Sequence, residues 1–428
     1  MDKFQLFKWQ QEAINSSVAE DSYGLFADPG TGKTYAALRI AMQWTKTAIV
    51  ICPLSLKVQW DKESHRVGYT THIYHYEQLR SKKFFDEIVR YLQKNPTTLI
   101  LDESHRIKSP STQTTKAALK LAPFATKRLA LTGTPTANSP ADLYTQMKFL
   151  QPNKRMESFR DFQLEYIEAL PSHHPLVKRV GGYAFIPKRT SAGALCLKNI
   201  EKLKERMHTY GCTVQLTDVV ELPERSFMIK YCTPSNELLR TYKEFKKNCI
   251  AKFKEEELTA SNAAVLAGRL VRLTSGLGHA DFEVTMANPK FETLLEDLDQ
   301  YVAVGKVIIW SVWVEERRAV YDKLFKQGYN VVIEPTEFME GDANILVASP
   351  KMFGTGLNLQ AATYQLWLSR SWSLLEREQA LARNYRAGQD KKTIVIDYVT
   401  ESTIDERVLL ALENKTDLLK QIMETKEI

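Results

Sequence analysis

A chain of 428 residues is too long for one ordinary hydrophobic core, because single cores stop growing near roughly 250 to 300 residues, so two domains are expected. Hydrophobic residues at 44%, charged residues at 25%, 18 Gly and 16 Pro exclude a fibrous or disordered class. The net charge of +7 is uneven: residues 1–200 hold 28 basic and 17 acidic side chains, +11, whereas the remainder holds 30 and 34, −4. Charge alone leaves open both a polyanionic partner such as nucleic acid and an ordinary solvated basic surface.

No apolar run approaches the ~20 residues that span a bilayer, and Met1–Ser17 mixes Asp2, Lys3, Lys8 and Glu12 with aromatics. A cytoplasmic protein without a membrane partner is expected, in a bacterium or encoded by a phage. Cys52, Cys196, Cys212, Cys232 and Cys249 are odd in number and lack a C-x-x-C pair, so they read as incidental thiols instead of a zinc site or disulfide framework.

In chain order, short β-rich runs lie at Gly24–Ala27, Thr47–Cys52, Thr98–Leu101 and Arg128–Leu131, with helix-competent segments between them. Continuous apolar strands alternating with helices imply a parallel sheet buried on both faces, the doubly wound α/β architecture. Residues from about 150 to 300 are richer in helical periodicity and charge. A second set of runs follows at Lys306–Trp313, Tyr329–Ile333, Asn344–Ala348, Tyr364–Leu368 and Thr393–Val399. Ser402 and Thr403, followed by Asp405 and Glu406, open a closing amphipathic helix that extends to Met423.

The run ADPGTGKT, Ala27–Thr34, sits between the first strand and a helix-forming segment, the context a phosphate loop requires. Gly30 and Gly32 let backbone N–H groups turn onto phosphate oxygens, Lys33 reaches the β and γ phosphates, and Thr34 can ligate Mg²⁺. Asp28 and Thr31 complete the nucleotide-binding set. In LILDESH, Asp102 and Glu103 stand at a strand's carboxyl end, where ligands gather in open α/β sheets. Asp102 is suited to hold Mg²⁺ and Glu103 to orient the attacking water.

Four more segments accompany these two: ICPLSL at Ile51–Leu56 between them, then LTGTP at Leu131–Pro135, GTGLNL at Gly354–Leu359 and QALARNYRAGQ at Gln379–Gln389. The ordered set resembles the Swi/Snf-like DNA-dependent ATPases of helicase superfamily two, from about residue 6 to the C-terminus. The resemblance implies two RecA-like lobes, 1–225 and 226–428, with helical elaboration near their junction. It implies that ATP is hydrolysed with Mg²⁺, that Gln10 reads the adenine edge, and that Arg383 and Arg386 come from the second lobe to transition-state charge. Gln11 beside Gln10 leaves an exposed helix face as the alternative for that position.

The same resemblance points to DNA contacts at Pro53, Ser55, Leu56, Thr355 and Asn358, around His75–Leu79, and at Arg370; Trp372 either stacks on a base or packs as an ordinary aromatic, with packing favoured. It assigns coupling of nucleotide state to Thr132, Gly133, Thr134, Gln379 and Gln389. Three features depart from the pattern: a short loop at Glu334–Ala343, Phe353 where a glycine is usual, and Val214–Pro223 without its usual basic pair. The expected activity is ATP-driven translocation by a monomer on DNA, duplex favoured, that remodels or displaces bound proteins. A strand-separating helicase and an ATP-gated DNA clamp are the alternatives.

Overall fold

A computed structural model of the chain describes residues 6–179, 185–190, 194–255, 260–279, 282–285, 287–353 and 359–423. The chain divides into two compact units, Met1–Glu221 with Asn414–Ile428, and Leu222–Glu413.

The first unit is built on six parallel strands: β1 Ser22–Ala27, β2 Thr47–Cys52, β3 Thr70–His75, β4 Thr97–Asp102, β5 Lys127–Thr132 and β6 Gly211–Val214, in the order β3-β2-β4-β5-β1-β6. β4 is buried along its whole length, and β1, β2 and β5 are buried over most of theirs, as a sheet covered by helices on both faces demands. One core joins Leu25, Ile100, Leu129 and Leu131 to Ala36, Leu38 and Ile40 of the helix Lys33–Trp44 and to Trp60 of the helix Lys57–Val67. Truncating a buried leucine here, as in Leu129→Ala, removes transfer energy and leaves a cavity, about 2 to 5 kcal/mol in such cores. The order places the ends of β4, β5 and β1 side by side, so whatever follows those strands shares one edge of the sheet.

The second unit has its own six parallel strands: β7 Arg225–Cys232, β10 Lys306–Trp310, β11 Val331–Val332, β12 Ile345–Ala348, β13 Ala362–Trp367 and β14 Thr393–Thr400, ordered β11-β12-β10-β13-β14-β7. A separate antiparallel pair joins β8 Leu277–His279 and β9 Phe282–Thr285. On one face Leu294 and Leu298 of the helix Pro289–Val304 pack with Ile396 and Tyr398. On the other, Trp310, Trp367 and Phe338 pack with Ala380 and Leu381. The fold class is thus α/β, with two doubly wound parallel sheets as the sequence implies.

Several elements differ from the sequence-based expectation. β3, TTHIYH, and β7, RSFMIKYC, are partly exposed edge strands: polar residues interrupt β3, and in β7 Phe227, Met228, Ile229 and Tyr231 are exposed while Arg225, Ser226 and Lys230 break the apolar run. β6 has only four residues. The stretch expected as a loop at Glu334–Ala343 contains a short helix, Pro335–Glu340, with proline at its first position, where the missing N–H is not needed. The closing helix, Ile404–Met423, begins in the second unit, but its residues from Asn414 group with the first instead of with 226–413. There Lys415 Nζ donates to Asn138 Oδ1 at 3.2 Å, and Gln215 Nε2 donates to the Met423 carbonyl at 3.4 Å.

Charge is also buried where sequence suggested surface. Arg370 was expected at DNA, but it is 4% exposed: its guanidinium donates to Asp397 Oδ1 at 2.8 Å and to the Tyr398 carbonyl at 2.5 Å. Arg377 makes two further bonds to the same carboxylate, at 2.9 and 2.6 Å, and lies over the Trp367 ring. Burial opposes ionisation of Asp397, but the two guanidinium groups outweigh it and hold the carboxyl below its usual range. Lys290, fully buried, is matched in the same way by Asp405 at 3.0 Å, with Thr274 and Ser275 taking its remaining protons. Arg370 is therefore a structural cation of the second unit.

Candidate active site

Three chain segments leave adjacent parallel strands at one edge of the first sheet. After β1 the chain turns through Asp28–Gly32 into the helix Lys33–Trp44. Gly30 at φ 90° and Gly32 at φ 84° adopt the left-handed conformation that glycine takes without steric cost. That turn aims the first helical N–H groups, which have no intrahelical partner, out of the helix end, an arrangement suited to phosphate oxygens. Thr31 is buried and its hydroxyl donates to the Asp28 carbonyl at 2.8 Å, while Asp28 Oδ2 accepts from the Leu216 N–H at 3.0 Å. The loop is thus braced by its own side chains.

Gln10 lies against this loop. It is 3% exposed, its Nε2 donates to the Gly32 carbonyl at 3.1 Å, and its Oε1 accepts from the Phe7 N–H at 3.0 Å. Gln11 instead bonds Asn15 on an exposed helix face. Of the two adjacent glutamines, only Gln10 touches the phosphate loop.

After β4 come Asp102 and Glu103. Asp102 is 2% exposed; its Oδ1 accepts from the Glu103 N–H at 2.9 Å and its Oδ2 from the Trp60 indole N–H at 2.7 Å. Burial and then the neighbouring Glu103 charge push its carboxyl up to about 6, while Lys33, Trp60 and the Glu103 N–H act in the opposite direction. Glu103 sits at φ 54°, a left-handed conformation costly for a residue with a Cβ. The left-handed residue directly follows the end of β4 at Asp102.

After β5 comes LTGTP, tied to both neighbours. His105 Nδ1 is 2.9 Å from Thr132 Oγ1, 3.4 Å from Thr134 Oγ1 and 3.3 Å from Glu103 Oε2. Burial pulls the His105 pKa down to about 4 against the attraction of Glu103, so the ring is neutral at physiological pH. Gly133 is pressed on the phosphate loop: a Cβ there would lie 2.7 Å from Pro29 Cδ and 3.1 Å from the Ala27 carbonyl. Thr132, Gly133 and Thr134 are thereby joined to the phosphate loop on one side and to the acidic pair on the other.

The donors fit a hard divalent cation. Thr34, in the first turn after the loop, offers a hydroxyl and Asp102 a carboxylate, the oxygen set with which Mg²⁺ is held beside substrate phosphates.

The expected DNA contacts are spread over both units. Ser55 is exposed, Leu56 half-buried and Pro53 buried in the turn between β2 and the helix Lys57–Val67. The segment His75–Leu79 follows β3, and Glu77 pairs with Arg106 at 3.3 Å. Thr355 and Asn358 lie outside the described residues. Trp372 is 37% exposed.

In the second unit, Arg383 Nε donates to the Gln379 carbonyl at 2.9 Å. Gln389 staples the loop that follows, donating to the carbonyls of Gln360 and Asn384. Arg386 is half-buried, and burial pulls its guanidinium below the ordinary arginine pKa. Trp60, which bonds Asp102, lies outside every segment named from sequence, whereas Tyr76 and His105 lie inside His75–Leu79 and LILDESH without a role of their own. For Trp60 the available signal is an aromatic one helical turn past a motif, which is indistinguishable from core.

A family model described as the SNF2-related domain matches residues 61–275, half of the chain. An ATP-dependent helicase of Mycoplasma genitalium is 25% identical over 98% of this chain and 42% of its own length. The Caenorhabditis elegans homologue of SWI/SNF-related matrix-associated actin-dependent regulator of chromatin subfamily A-like protein 1 is 24% identical over 98% of this chain and 62% of its own. The chain thus spans about two fifths to three fifths of those two relatives. A solved structure, the Sulfolobus solfataricus SWI2/SNF2 ATPase core in complex with dsDNA, aligns over 99% of this chain and 98% of that one, at 19% identity and a TM-score of 0.42, too distant to carry an argument. On the match of the family model, the chain belongs to the SNF2-related family.

Proposed function

We propose that the protein is a DNA-dependent ATPase that uses hydrolysis to translocate on duplex DNA and to displace or remodel proteins bound there. The observation that carries the hydrolytic part is the meeting of Lys33, Asp102, Glu103 and the Thr132–Thr134 segment at the carboxyl ends of three adjacent parallel strands. Membership of the SNF2-related family and the helicase name of the Mycoplasma relative support the reading. The basic excess of residues 1–200 supports a polyanionic track.

In this reading the loop N–H groups and Lys33 hold the triphosphate, and Gln10 takes the adenine edge. Thr34 and Asp102 hold Mg²⁺, which when bound neutralises phosphate charge. Glu103 orients the attacking water and accepts its proton. Arg383 and Arg386 meet the charge that develops on the transferred phosphoryl group. Ser55 and the neighbouring turn bind DNA phosphates, contacts that hold register without reading sequence.

The test sets ATPase rates against duplex DNA, single-stranded DNA, forks and RNA beside a triplex-displacement assay. Duplex stimulation with triplex displacement is expected. Fork opening without triplex displacement would replace translocation by strand separation, and tight DNA binding without stimulation would replace it by a clamp.

A further inference from the structure

Asp102 receives three hydrogen bonds, two of them from buried aromatic side chains. Trp60, 1% exposed, donates its indole N–H to Oδ2 at 2.7 Å. Tyr76, 2% exposed, donates its hydroxyl to the Asp102 main-chain carbonyl at 2.8 Å. The third comes from the Glu103 N–H. A carboxylate taken out of water needs such donors, and their loss leaves an unsatisfied buried oxygen.

The origin of the two aromatics carries the inference. Trp60 lies one helical turn past Leu56, on the helix Lys57–Val67 that continues directly from the turn Leu54–Leu56. Leu54 and Val58 on either side of that junction are exposed, so the segment meets solvent at one end and Asp102 at the other. Tyr76 opens the turn Tyr76–Arg80 after β3. Each of the first unit's two segments assigned to DNA therefore ends on the same residue through one rigid ring, Trp60 on the Asp102 carboxylate and Tyr76 on the Asp102 main-chain carbonyl. The helix Lys57–Val67 is fixed against the helix of the phosphate loop as well, with the Arg66 guanidinium 5.3 Å above the Tyr35 ring. A packed helix shifts as a unit, so movement of the turn at its start is delivered to the indole.

We propose that Trp60 and Tyr76 are positioning residues that aim Asp102 at the divalent cation and couple the occupancy of the two DNA-contact segments to that aim. The proposal rests on the assignment of Asp102 and of those segments given above. By linkage, DNA bound at the segments strengthens cation binding, and the cation strengthens DNA binding by the same factor. Removing a bond that orients a metal ligand typically weakens metal affinity about 10- to 100-fold.

The experiment measures Mn²⁺ binding to the ADP-bound protein by the electron paramagnetic resonance of free Mn²⁺, with and without saturating duplex DNA. No turnover is involved. Wild type is compared with Tyr76→Phe, Trp60→Phe and Trp60→3-benzothienylalanine, the last keeping the ring's shape and deleting only the donor. Both Trp60 variants are expected to weaken Mn²⁺ about tenfold. In both, the several-fold strengthening that DNA gives wild type is expected to fall to about one, whereas ADP affinity without metal stays within about twofold. Tyr76→Phe is expected to halve the DNA effect or more. If the isosteric variant binds Mn²⁺ as wild type does, with the same response to DNA, the proposal is overturned, and it is equally overturned if wild type binds Mn²⁺ alike with and without DNA. Failure of wild type to hydrolyse ATP would instead overturn the function proposed above, so the two failures are distinguishable.

Discussion

His105 makes the acid stability of the first unit a direct readout of how the acidic pair is joined to the Thr132–Thr134 segment. The ring is 3% exposed, and its pKa falls from the model-peptide value of 6.5 to about 4, with burial as the largest cause. Because the folded pKa lies below the unfolded one, the unfolded chain takes up the proton first as the pH drops. The stabilisation is therefore complete above about pH 6.5 and is lost progressively as the pH falls toward 4. Integrated from pH 7.5 to 5.0, this single group withdraws about 2 kcal/mol from wild type. Urea unfolding of the nucleotide-free protein at several pH values, beside His105→Gln, isolates the effect, since all other titrating groups are common to both. The stability gap between the two is expected to shrink by about 2 kcal/mol across that window. A gap that stays constant from pH 7.5 to 5.0 would mean that His105 titrates alike in both states, and the buried, neutral ring would have to be abandoned.

Asp397→Asn strips the charge from a carboxylate that faces two buried guanidinium groups, and an expected loss of about 3 to 5 kcal/mol is measurable as a lowered urea midpoint. Arg370→Ala is expected to lower stability while leaving DNA affinity unchanged in a filter-binding assay; a selective loss of DNA binding would return Arg370 to the nucleic-acid surface. Gly133→Ala forces a methyl against Pro29, and the roughly 1 to 3 kcal/mol of overpacking should appear as about 5- to 150-fold weaker binding of a fluorescent ADP. DNA binding is expected to fall steeply between 50 and 200 mM salt with little sequence preference, as phosphate contacts require; a salt-insensitive, sequence-specific footprint would contradict the assigned contacts.

The elements most legible in the sequence are those buried on both faces. LIL and LAL read as strand centres because every side chain buried there is apolar, and ADPGTGKT announces its turn through glycines that the backbone uses at positive φ. Edge strands are hidden because half-exposed positions carry no such demand: THIYH mixes polar residues with Ile73 and Tyr74, and SFMIKY presents apolar residues to solvent. Arg370 was misplaced because a charged side chain near a motif reads as surface, and its partners, Asp397 and the Tyr398 carbonyl, lie in a strand more than twenty residues later. The bonds of Trp60 and Tyr76 were illegible for a related reason. Periodicity can place an aromatic in the core, but which acceptor its polar atom finds is a matter of how strands are ordered, and β2, β3 and β4 meet only in the folded sheet.

The central claim, that the carboxylates at the end of β4 perform ATP hydrolysis under control of DNA, is tested most directly by steady-state ATPase rates of wild type and Glu103→Gln, each with and without duplex DNA. The predicted result is strong stimulation of wild type by duplex, and a Glu103→Gln protein that still binds ATP and DNA but loses about 10²-fold or more of the stimulated rate. A rate that responds neither to duplex DNA nor to Glu103→Gln would contradict it.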